Sequence, residues 1–347
     1  MTALFLDVQD PRWRQFLRRA RHDVYHLPGY VACAARHQEG HPTAFLAEAE
    51  GHALLVPLVL RPLPPHLDAP DAWRDATSPY GYPAPLLTPG CPEALTTAFL
   101  EGFRDHAAEA QIVSVFLRLH PLLPFPEAPL RAHGTLLRHG QTVFFDLTRP
   151  PEVLHRQMRR NHRRDLRTLR NQGFTFHLDQ WQHYPTFRRL YEDNMRRVQA
   201  TAFYFFSEDY FADLRTTLPD HLHLGTVHAP DGTIAAASLF TCTDGLAQHH
   251  LCGTAAAFLP MSPIKLMIDE IRRWAAAQGC QALHLGGGLG GREDALFRFK
   301  AGFANTLADF FTARLILHPD HYALLTQRAF PQSPPPPDFF PAFRFLQ

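Results

Sequence analysis

A lysine near the C-terminal end of the chain stands in a setting suited to chemistry. Lys300 lies in the segment Ala295–Phe303 among three phenylalanines, and it is one of only two lysines among 34 basic residues. A lysine so placed can present its ammonium to an oxyanion that develops on a substrate carbonyl, or to a phosphate. The alternative is a lysine at a helix edge that keeps its charge in solvent.

The segment before this lysine is rich in glycine. Leu285–Gly291 contains five glycines in six successive positions, so its formal match to G-x-G-x-x-G is nearly automatic. The carboxylates of Glu293 and Asp294 would repel a pyrophosphate at the start of the next helix, and no dinucleotide-binding βαβ unit surrounds the run. The glycines instead favour a close approach of the backbone to a ligand or a neighbouring helix.

The most basic segment, residues 156–170, holds seven arginines and one acid. Five of the arginines recur at i, i+3 or i+4 and share one face of a helix predicted from Pro151 to Asn171: Arg156, Arg160, Arg163, Arg167 and Arg170. Like charges stacked in this way destabilise a helix unless an anion offsets them, which favours contact with phosphate or nucleic acid. The alternative is a solvated face in a chain that uses arginine for almost all its basic positions.

The other candidate segments are less specific. The loop Asp75–Thr88 is long, aromatic and stiffened by three prolines, which is typical of a loop that lines a pocket, although its tyrosines could equally be packing residues. The histidine pairs at 221/223 and 249/250 have no carboxylate at ligand spacing, so we predict no metal site. No G-x-S-x-G elbow, P-loop or H-E-x-x-H motif occurs, and nucleophilic catalysis by the protein has no support.

Composition limits the class of protein. The chain has 347 residues, 46% of them apolar, which excludes intrinsic disorder, and its 34 basic and 33 acidic residues give no global field towards nucleic acid or membrane. No stretch approaches the ~18 apolar residues of a membrane span, and the N-terminus has no signal-peptide pattern. Five scattered cysteines predict reduced thiols. We therefore expect a soluble cytoplasmic protein.

Hydrophobic periodicity predicts the same order of elements in both halves, namely a helix, antiparallel strands, a helix and a strand. The first half contains a helix over 10–22, strands at Pro42–Glu50 and Ala53–Arg61, a helix over Pro92–Ala110 and a strand at Ile112–Leu119. The second half contains strands at Thr142–Leu147, Phe174–Leu178, Leu222–His228, Thr233–Thr241, Leu246–Gly253, Ala282–Leu285 and Asp309–Leu317, with helices over 151–171, 184–200, 262–277 and 294–303.

This order predicts an α+β protein in which helices flank mixed, mainly antiparallel sheets in two similar subdomains. We place the N-terminal subdomain at 1–140 and the C-terminal subdomain at 141–318. The Pro- and Phe-rich tail at 319–347 is expected to lie across a domain as an extended arm.

Three segments resemble the FemABX-like peptidyltransferase family and the related acyltransferases built on paired GNAT folds. They are Ser78-Pro-Tyr-Gly-Tyr-Pro83, the Arg163–Gly173 part of the joining helix, and Leu285-Gly-Gly-Gly288 with Phe299-Lys300-x-Gly302-Phe303. The resemblance implies transfer of an aminoacyl group from aminoacyl-tRNA to an amine of a peptidoglycan precursor or small peptide. It implies no metal and no organic cofactor.

The resemblance also implies roles for individual residues. Lys300 would be catalytic, as the partner of the tetrahedral oxyanion or of the donor. The remaining residues would bind substrate, Arg163 and Arg167 at phosphate and Tyr80 and Tyr82 in the acceptor pocket, together with Gly287, Gly288 and Phe299.

The chain departs from the family pattern in two places, and two alternatives stay open. Family members that act on cell-wall precursors often carry Gly-Pro-x-x-Asp where this chain has Ala84–Thr88, and no long helical hairpin for tRNA is present. An acyl-CoA donor is the rival, because Ser262 and Pro263 open a helix whose free amides could bind an anion. A protein of another class, a non-catalytic RNA-binding protein that uses the arginine helix, would carry the same basic segment. The identity of the acyl group, the acceptor, the group that accepts the amine proton and the oligomeric state are not determined by the sequence.

Overall fold

A computed structural model describes residues 1–345, which contain thirteen β-strands and eleven α-helices. The strands are β1 Thr2–Leu6, β2 His41–Ala49, β3 His52–Pro62, β4 Arg74–Thr77, β5 Leu86–Leu87, β6 Ile112–Arg118, β7 Thr135–Asp146, β8 Thr175–Leu178, β9 Leu222–His228, β10 Ile234–Thr243, β11 Leu246–Thr254, β12 Ala282–Gly286 and β13 Thr306–Ile316. The helices are α1 Pro11–Leu17, α2 Pro28–His37, α3 Glu93–Glu109, α4 Glu127–His133, α5 Pro151–Gln157, α6 Arg160–Asn171, α7 Tyr184–Arg197, α8 Glu208–Thr217, α9 Ile264–Ala277, α10 Ala295–Lys300 and α11 Pro319–Ala329.

The chain divides into two compact units. The first comprises Met1–His139 together with the residues from Phe310 onward, and the second comprises Gly140–Asp309. The predicted division placed the final strand with the second half and set the tail apart. In the structure most of β13 and the residues after it belong to the first unit, because that strand pairs with β6.

Both units contain the same sequence of strand pairings. In the first unit β1 to β4 form an antiparallel meander, β4 pairs β6 in parallel, and β6 pairs β13 antiparallel. In the second, β8 to β11 form the meander, β11 pairs β12 in parallel, and β12 pairs β7 antiparallel. One helix makes each parallel step, α3 in the first unit and α9 in the second. The predicted α+β fold with two similar subdomains is confirmed.

Each unit has a core of its own. In the first, Phe99 and Phe103 of α3 pack with Phe45 of β2 among the apolar faces of the strands. In the second, Leu266 and Ile271 of α9 lie among the buried residues of the sheet and of α6. Phe99 and Phe103 are four positions apart, the spacing that turns one helical face towards a sheet.

The predicted helix over 151–171 is wrong in one respect, since the structure has two helices. Met158 has an extended backbone and a buried side chain in the core of the second unit, and α6 begins at Arg160. The amide of Arg159 donates to the carbonyl of Gly302 at 2.8 Å, so the break gains a tertiary partner that a continuous helix would not provide. Arg156 therefore lies outside the helix that carries the other arginines of the predicted face.

The tail is held to the first unit near its end. The predicted extended tail is wrong for residues 319–329, which form α11, whereas no helix or strand occurs between α11 and a short 3-10 turn at Ala342–Arg344. The Arg344 guanidinium pairs with the fully buried carboxylate of Asp75 at 2.6 Å, and Phe343 is buried beside Leu325. The last two residues of the predicted tail lie outside the described part of the chain.

Strand β11 packs closely on α7 at Gly253. A Cβ at this position would lie 2.3 Å from the backbone of Leu190, which cannot move without shifting the helix. We expect Gly253→Ala to lower the free energy of unfolding by about 1–3 kcal/mol, measured by urea denaturation. The control is Gly102→Ala in α3, whose added Cβ meets only the flexible end of Met1 and whose helix gains propensity. Equal destabilisation by both variants would contradict the packing argument.

Candidate active site

The neighbouring parallel strands β11 and β12 of the second unit pair along only part of their length. The gap between their unpaired ends is called the cleft. The pairing of β11 with β12 runs from Leu246↔Ala282 to Gln248↔His284 and ends there. Beyond this point β12 keeps its antiparallel partner β7 as far as Gly286↔Val143. The part of β11 after Gln248 therefore pairs only with β10 among the described strands.

Strand β11 contains a β-bulge directly after Gln248. Phe240 of β10 pairs with His249, and Leu239 pairs with Leu251. His250 is therefore an additional residue that has no paired residue on β10. Ser238 faces Cys252, and Ser238 and Phe240 share one face of the sheet because side chains alternate along a strand. His249 and Cys252 therefore also share that face, although they are three positions apart, because the bulge changes the alternation.

Lys300 is held in place by the glycine-rich segment. Its Nζ donates to the carbonyl of Gly287 at 2.7 Å. Asp294 caps α10 by accepting from the amide of Phe297 at 2.9 Å, and its other oxygen accepts from the amide of Leu289 at 2.9 Å. A Cβ on Gly288 would lie 2.4 Å from an Asp294 oxygen, so the loop can close on its capping residue only with glycine there. The expected close backbone approach is confirmed, and its neighbour is the segment that leads into α10.

Burial shifts the three titratable groups of this region towards their neutral forms. It lowers the pKa of Lys300 to about 8, against the smaller raising effects of Cys252 and Asp294. The pKa of His249 is lowered to about 3, mainly by burial and to a smaller extent by the charges of Lys300 and His250. Burial raises the pKa of the Cys252 thiol, while the charges of Lys300 and Arg197 act in the opposite direction. The cleft thus holds a neutral imidazole and a neutral thiol within the electrostatic reach of one ammonium.

Phe299 connects the lysine to α6. Its carbonyl lies 3.1 Å from Nε2 of His162, and the two rings are 5.4 Å apart. His162 is buried, and burial, followed by the charge of Lys265, lowers its pKa. The contact fixes α10 against α6, so the structure shows a packing role for Phe299, and its predicted role in substrate binding stays a prediction.

The arginines of α6 divide into two groups. Arg170 is bound to Asp269 and Glu270 at 2.6 Å each, so this member of the predicted face supports the fold. Arg163 is partly exposed and Arg167 exposed, and neither side chain has an ion pair or hydrogen bond within residues 1–345. A cavity of about 360 Å³ at the start of the helix is lined by Arg160, Asn161 and Arg164.

Tyr80 and Tyr82 belong to the first unit. The carbonyl of Tyr80 accepts from the Tyr30 hydroxyl at 2.9 Å, and the Tyr82 ring lies edge-on to Phe310 at 5.3 Å. Between them Gly81 has φ +100°, and the ring of Tyr25 occupies the space of a side chain there. The loop is shaped by these aromatic contacts, and the predicted role of the two tyrosines in acceptor binding stays a prediction.

The first unit contains a buried carboxylate and imidazole, Asp23 and His120, that could be considered as a catalytic base. Nε2 of His120 lies 2.9 Å from Asp23, and its Nδ1 accepts from the amide of Leu122 at 3.0 Å. Both ring nitrogens are therefore occupied, and the imidazole has no free lone pair with which to accept a substrate proton. We assign it to the support of the fold.

The sequence reasoning missed His249 and Cys252 as site residues. The only local signal was the pair of adjacent histidines in an otherwise apolar strand, which breaks the two-residue period. That break is what a bulge produces, since one additional residue turns the following side chains to the other face.

Two classes of feature are absent from the described residues. No helix between residues 1 and 345 has the length and apolarity of a membrane span. In the same range no group of three His, Cys, Asp or Glu side chains is arranged to hold a metal ion.

Comparison with known proteins agrees with this geometry. Residues 156–300, which include α6, the bulged strand and Lys300, match the family model described as an acetyltransferase (GNAT) domain. No curated protein sequence matches the chain significantly. The second unit thus carries a GNAT acyltransferase domain, and the protein is an acyltransferase.

The likeness extends over the chain at the level of fold. The crystal structure of FemX superposes with a TM-score of 0.71 at 13% identity and covers 93% of this chain and 99% of its own. L-PGS from Bacillus licheniformis has a TM-score of 0.56 at 14% identity, over 88% and 92%. A tandem GNAT protein from the clavulanic acid biosynthesis pathway has a TM-score of 0.51 at 12% identity, over 92% and 99%. The fold is therefore FemX-like, with paired GNAT-type units.

The low pKa of Lys300 can be measured directly because the chain has only two lysines. With ¹⁵Nζ-labelled lysine, NMR should show one ammonium that titrates near pH 8, assigned by its loss in Lys300→Met. Lys265→Arg removes the other signal and serves as the control. Titration of Lys300 at its ordinary value of 10.5 would show that the ammonium is not desolvated.

Proposed function

We propose that the protein is an N-acyltransferase of FemABX-like type, which transfers an aminoacyl group from aminoacyl-tRNA to an amine of a peptide or cell-wall precursor. The observation that carries the proposal is the Lys300 ammonium, held against the Gly287 carbonyl beside the cleft between β11 and β12. A fixed cation in a desolvated site stabilises an oxyanion more strongly than it would in water.

The reaction needs little else from the protein. The ester of an aminoacyl-tRNA is already activated, so an amine placed near its carbonyl carbon reacts when the tetrahedral oxyanion is stabilised. Lys300 supplies the positive charge, and its ammonium form predominates below about pH 8. The hydrogen bond to Gly287 orients the ammonium before substrate arrives, which reduces the reorganisation needed during reaction.

The arginines without partners support a tRNA donor. Arg163 and Arg167 of α6, with Arg156 just before it, carry charge that no acid among the described residues neutralises. Their guanidinium groups suit the phosphates of a nucleic acid, whereas Arg164 at the separate cavity is paired with Asp165 at 3.1 Å. The FemX-like fold agrees with the family resemblance from which this donor was inferred.

An acyl-CoA donor is the second candidate, and one feature favours it. Helix α9 has no side-chain cap at its N-terminus, and Ser262 before it has φ +53°. The free amides and dipole of a fourteen-residue helix suit a phosphate. The tandem GNAT neighbour is described as a structure without AcCoA, and the matching family model describes acetyltransferases.

The direct test supplies purified protein with bulk ¹⁴C-aminoacyl-tRNA or ¹⁴C-acetyl-CoA, and with a UDP-linked muropeptide or a lysine-containing peptide as acceptor. Transfer of label from tRNA to an acceptor supports the proposal. Transfer from acetyl-CoA alone supports the second candidate. Salt-dependent tRNA binding with no transfer from any donor would identify a non-catalytic RNA-binding protein.

Lys300→Met should lower kcat by about 100- to 1,000-fold with little change in donor Kd, because the ammonium acts mainly on the charge that develops during reaction. Initial rates with the donor above and direct binding of that donor separate the two quantities. Lys265→Arg keeps the charge of the other lysine, in its ion pair with Asp165, and should leave kcat unchanged. Wild-type turnover by Lys300→Met would remove this residue from catalysis.

Arg163→Ala combined with Arg167→Ala should weaken tRNA binding and reduce the slope of log K against log salt by about 1 to 2, since each phosphate contact contributes about 0.7–0.9. Filter binding at four salt concentrations measures the slope. The matched control replaces Arg14 and Arg18 at α1, two exposed arginines whose loss changes net charge equally. The same slope in both double variants would place the tRNA contact elsewhere.

A further inference from the structure

His249 has a buried ring nitrogen that no hydrogen bond satisfies. Its Nε2 atom is buried and has no partner within residues 1–345. A buried polar atom without a partner destabilises a fold, so such an atom at a functional site requires an explanation. The residue lies where β11 leaves β12, at the bulge that turns it to the same face as Cys252.

The groups that face this imidazole are cationic or neutral. Burial is the main effect that disfavours the imidazolium, followed by the charges of Lys300 on α10 and of His250 on the same strand. Cys252 and Asp294 act on Lys300 and favour its ammonium. The imidazole is therefore neutral at physiological pH, and with its proton on Nδ1 it carries a free lone pair on Nε2.

We propose that His249 accepts the proton which the acceptor amine must lose when it attacks the acyl ester, while Lys300 stabilises the oxyanion. This inference rests on the proposed acyl transfer and supplies the proton acceptor that such a reaction requires. The free Nε2 atom is the observation that carries it.

The step balances in atoms and electrons. The amine nitrogen bonds to the ester carbon, the carbonyl electron pair moves to oxygen beside Lys300, and the amine proton goes to Nε2 of His249. When the intermediate collapses, the carbonyl reforms, the ester C–O bond breaks, and the proton passes from His249 to the leaving hydroxyl oxygen. An ester and an amine become an amide and an alcohol, and the imidazole returns to its neutral form.

The two groups work in sequence because of their charges. In the resting site burial, and then the Lys300 ammonium, lower the pKa of His249 and make it a weak base. When negative charge develops on the substrate oxygen, it offsets the ammonium and the basicity of the imidazole rises. The imidazole thus becomes a better acceptor at the stage when the amine proton becomes acidic.

The kinetic test uses His249→Ala with bulk ¹⁴C-aminoacyl-tRNA as donor and the lysine-containing peptide as acceptor. We expect kcat to fall about 100-fold with an unchanged donor Kd, and added imidazole to restore at least tenfold of the loss. His228→Asn, a histidine clustered with His177 and His183, is the control and should retain wild-type kcat. Wild-type kcat in His249→Ala, or a loss that imidazole does not rescue, would overturn the proposal.

A second measurement does not depend on turnover and so separates this inference from the proposed function. In ¹⁵N-histidine NMR, assigned with His249→Gln, His249 should stay neutral at pH 5, and Lys300→Met should raise its pKa because a positive charge is removed. Titration near 6.5 that is insensitive to Lys300→Met would overturn the pairing of the two groups. Wild-type protein that transfers from no donor, with His249 still coupled to Lys300, would instead refute the proposed donor chemistry.

Discussion

The hydrogen bond from the Lys300 ammonium to the Gly287 carbonyl sets the requirements for the surrounding segment. A lysine charge is stable in a desolvated place only if polar groups are aimed at it, and here a backbone carbonyl does this. The carbonyl can be so aimed because the glycine run folds tightly onto the cap of α10, where Asp294 fixes both the loop and the helix. Phe299 then holds the same helix against His162 of α6. Direct contacts thus connect the glycine-rich loop, Lys300 of α10 and helix α6 within the second unit.

The cleft beside this assembly results from incomplete pairing in the sheet. A fully paired β11 and β12 would satisfy more backbone groups and leave no room for a substrate. The parting of the strands after Gln248 and the orphaned nitrogen of His249 both reduce stability in favour of a reactive site. Burial has the same double effect on Lys300, since the environment that lowers its pKa also strengthens its attraction for an oxyanion.

Local signals in the sequence predicted much of this. The β2–β3 and β9–β10 hairpins follow from tight turns between apolar runs. Lys300 was identified because lysine is rare in this chain, and the glycine segment because five glycines fall in six positions. The break at Met158 was not predictable, because it depends on a carbonyl of Gly302 that is distant in sequence. Short elements such as β1 and β4 are formed by their partners in the sheet and have little periodicity of their own. His249 was missed because its importance depends on strand register.

The bulge on β11 makes the length of this strand part of the site. In most connecting segments of the protein an inserted or deleted residue would be absorbed by a loop. Deletion of His250 would restore regular alternation and turn either His249 or Cys252 away from Lys300, although every side chain of the site would still be encoded. Comparative models of related chains should therefore be judged first by whether their alignment keeps this one additional residue. A gap placed one position away would preserve the apparent motif and lose the geometry.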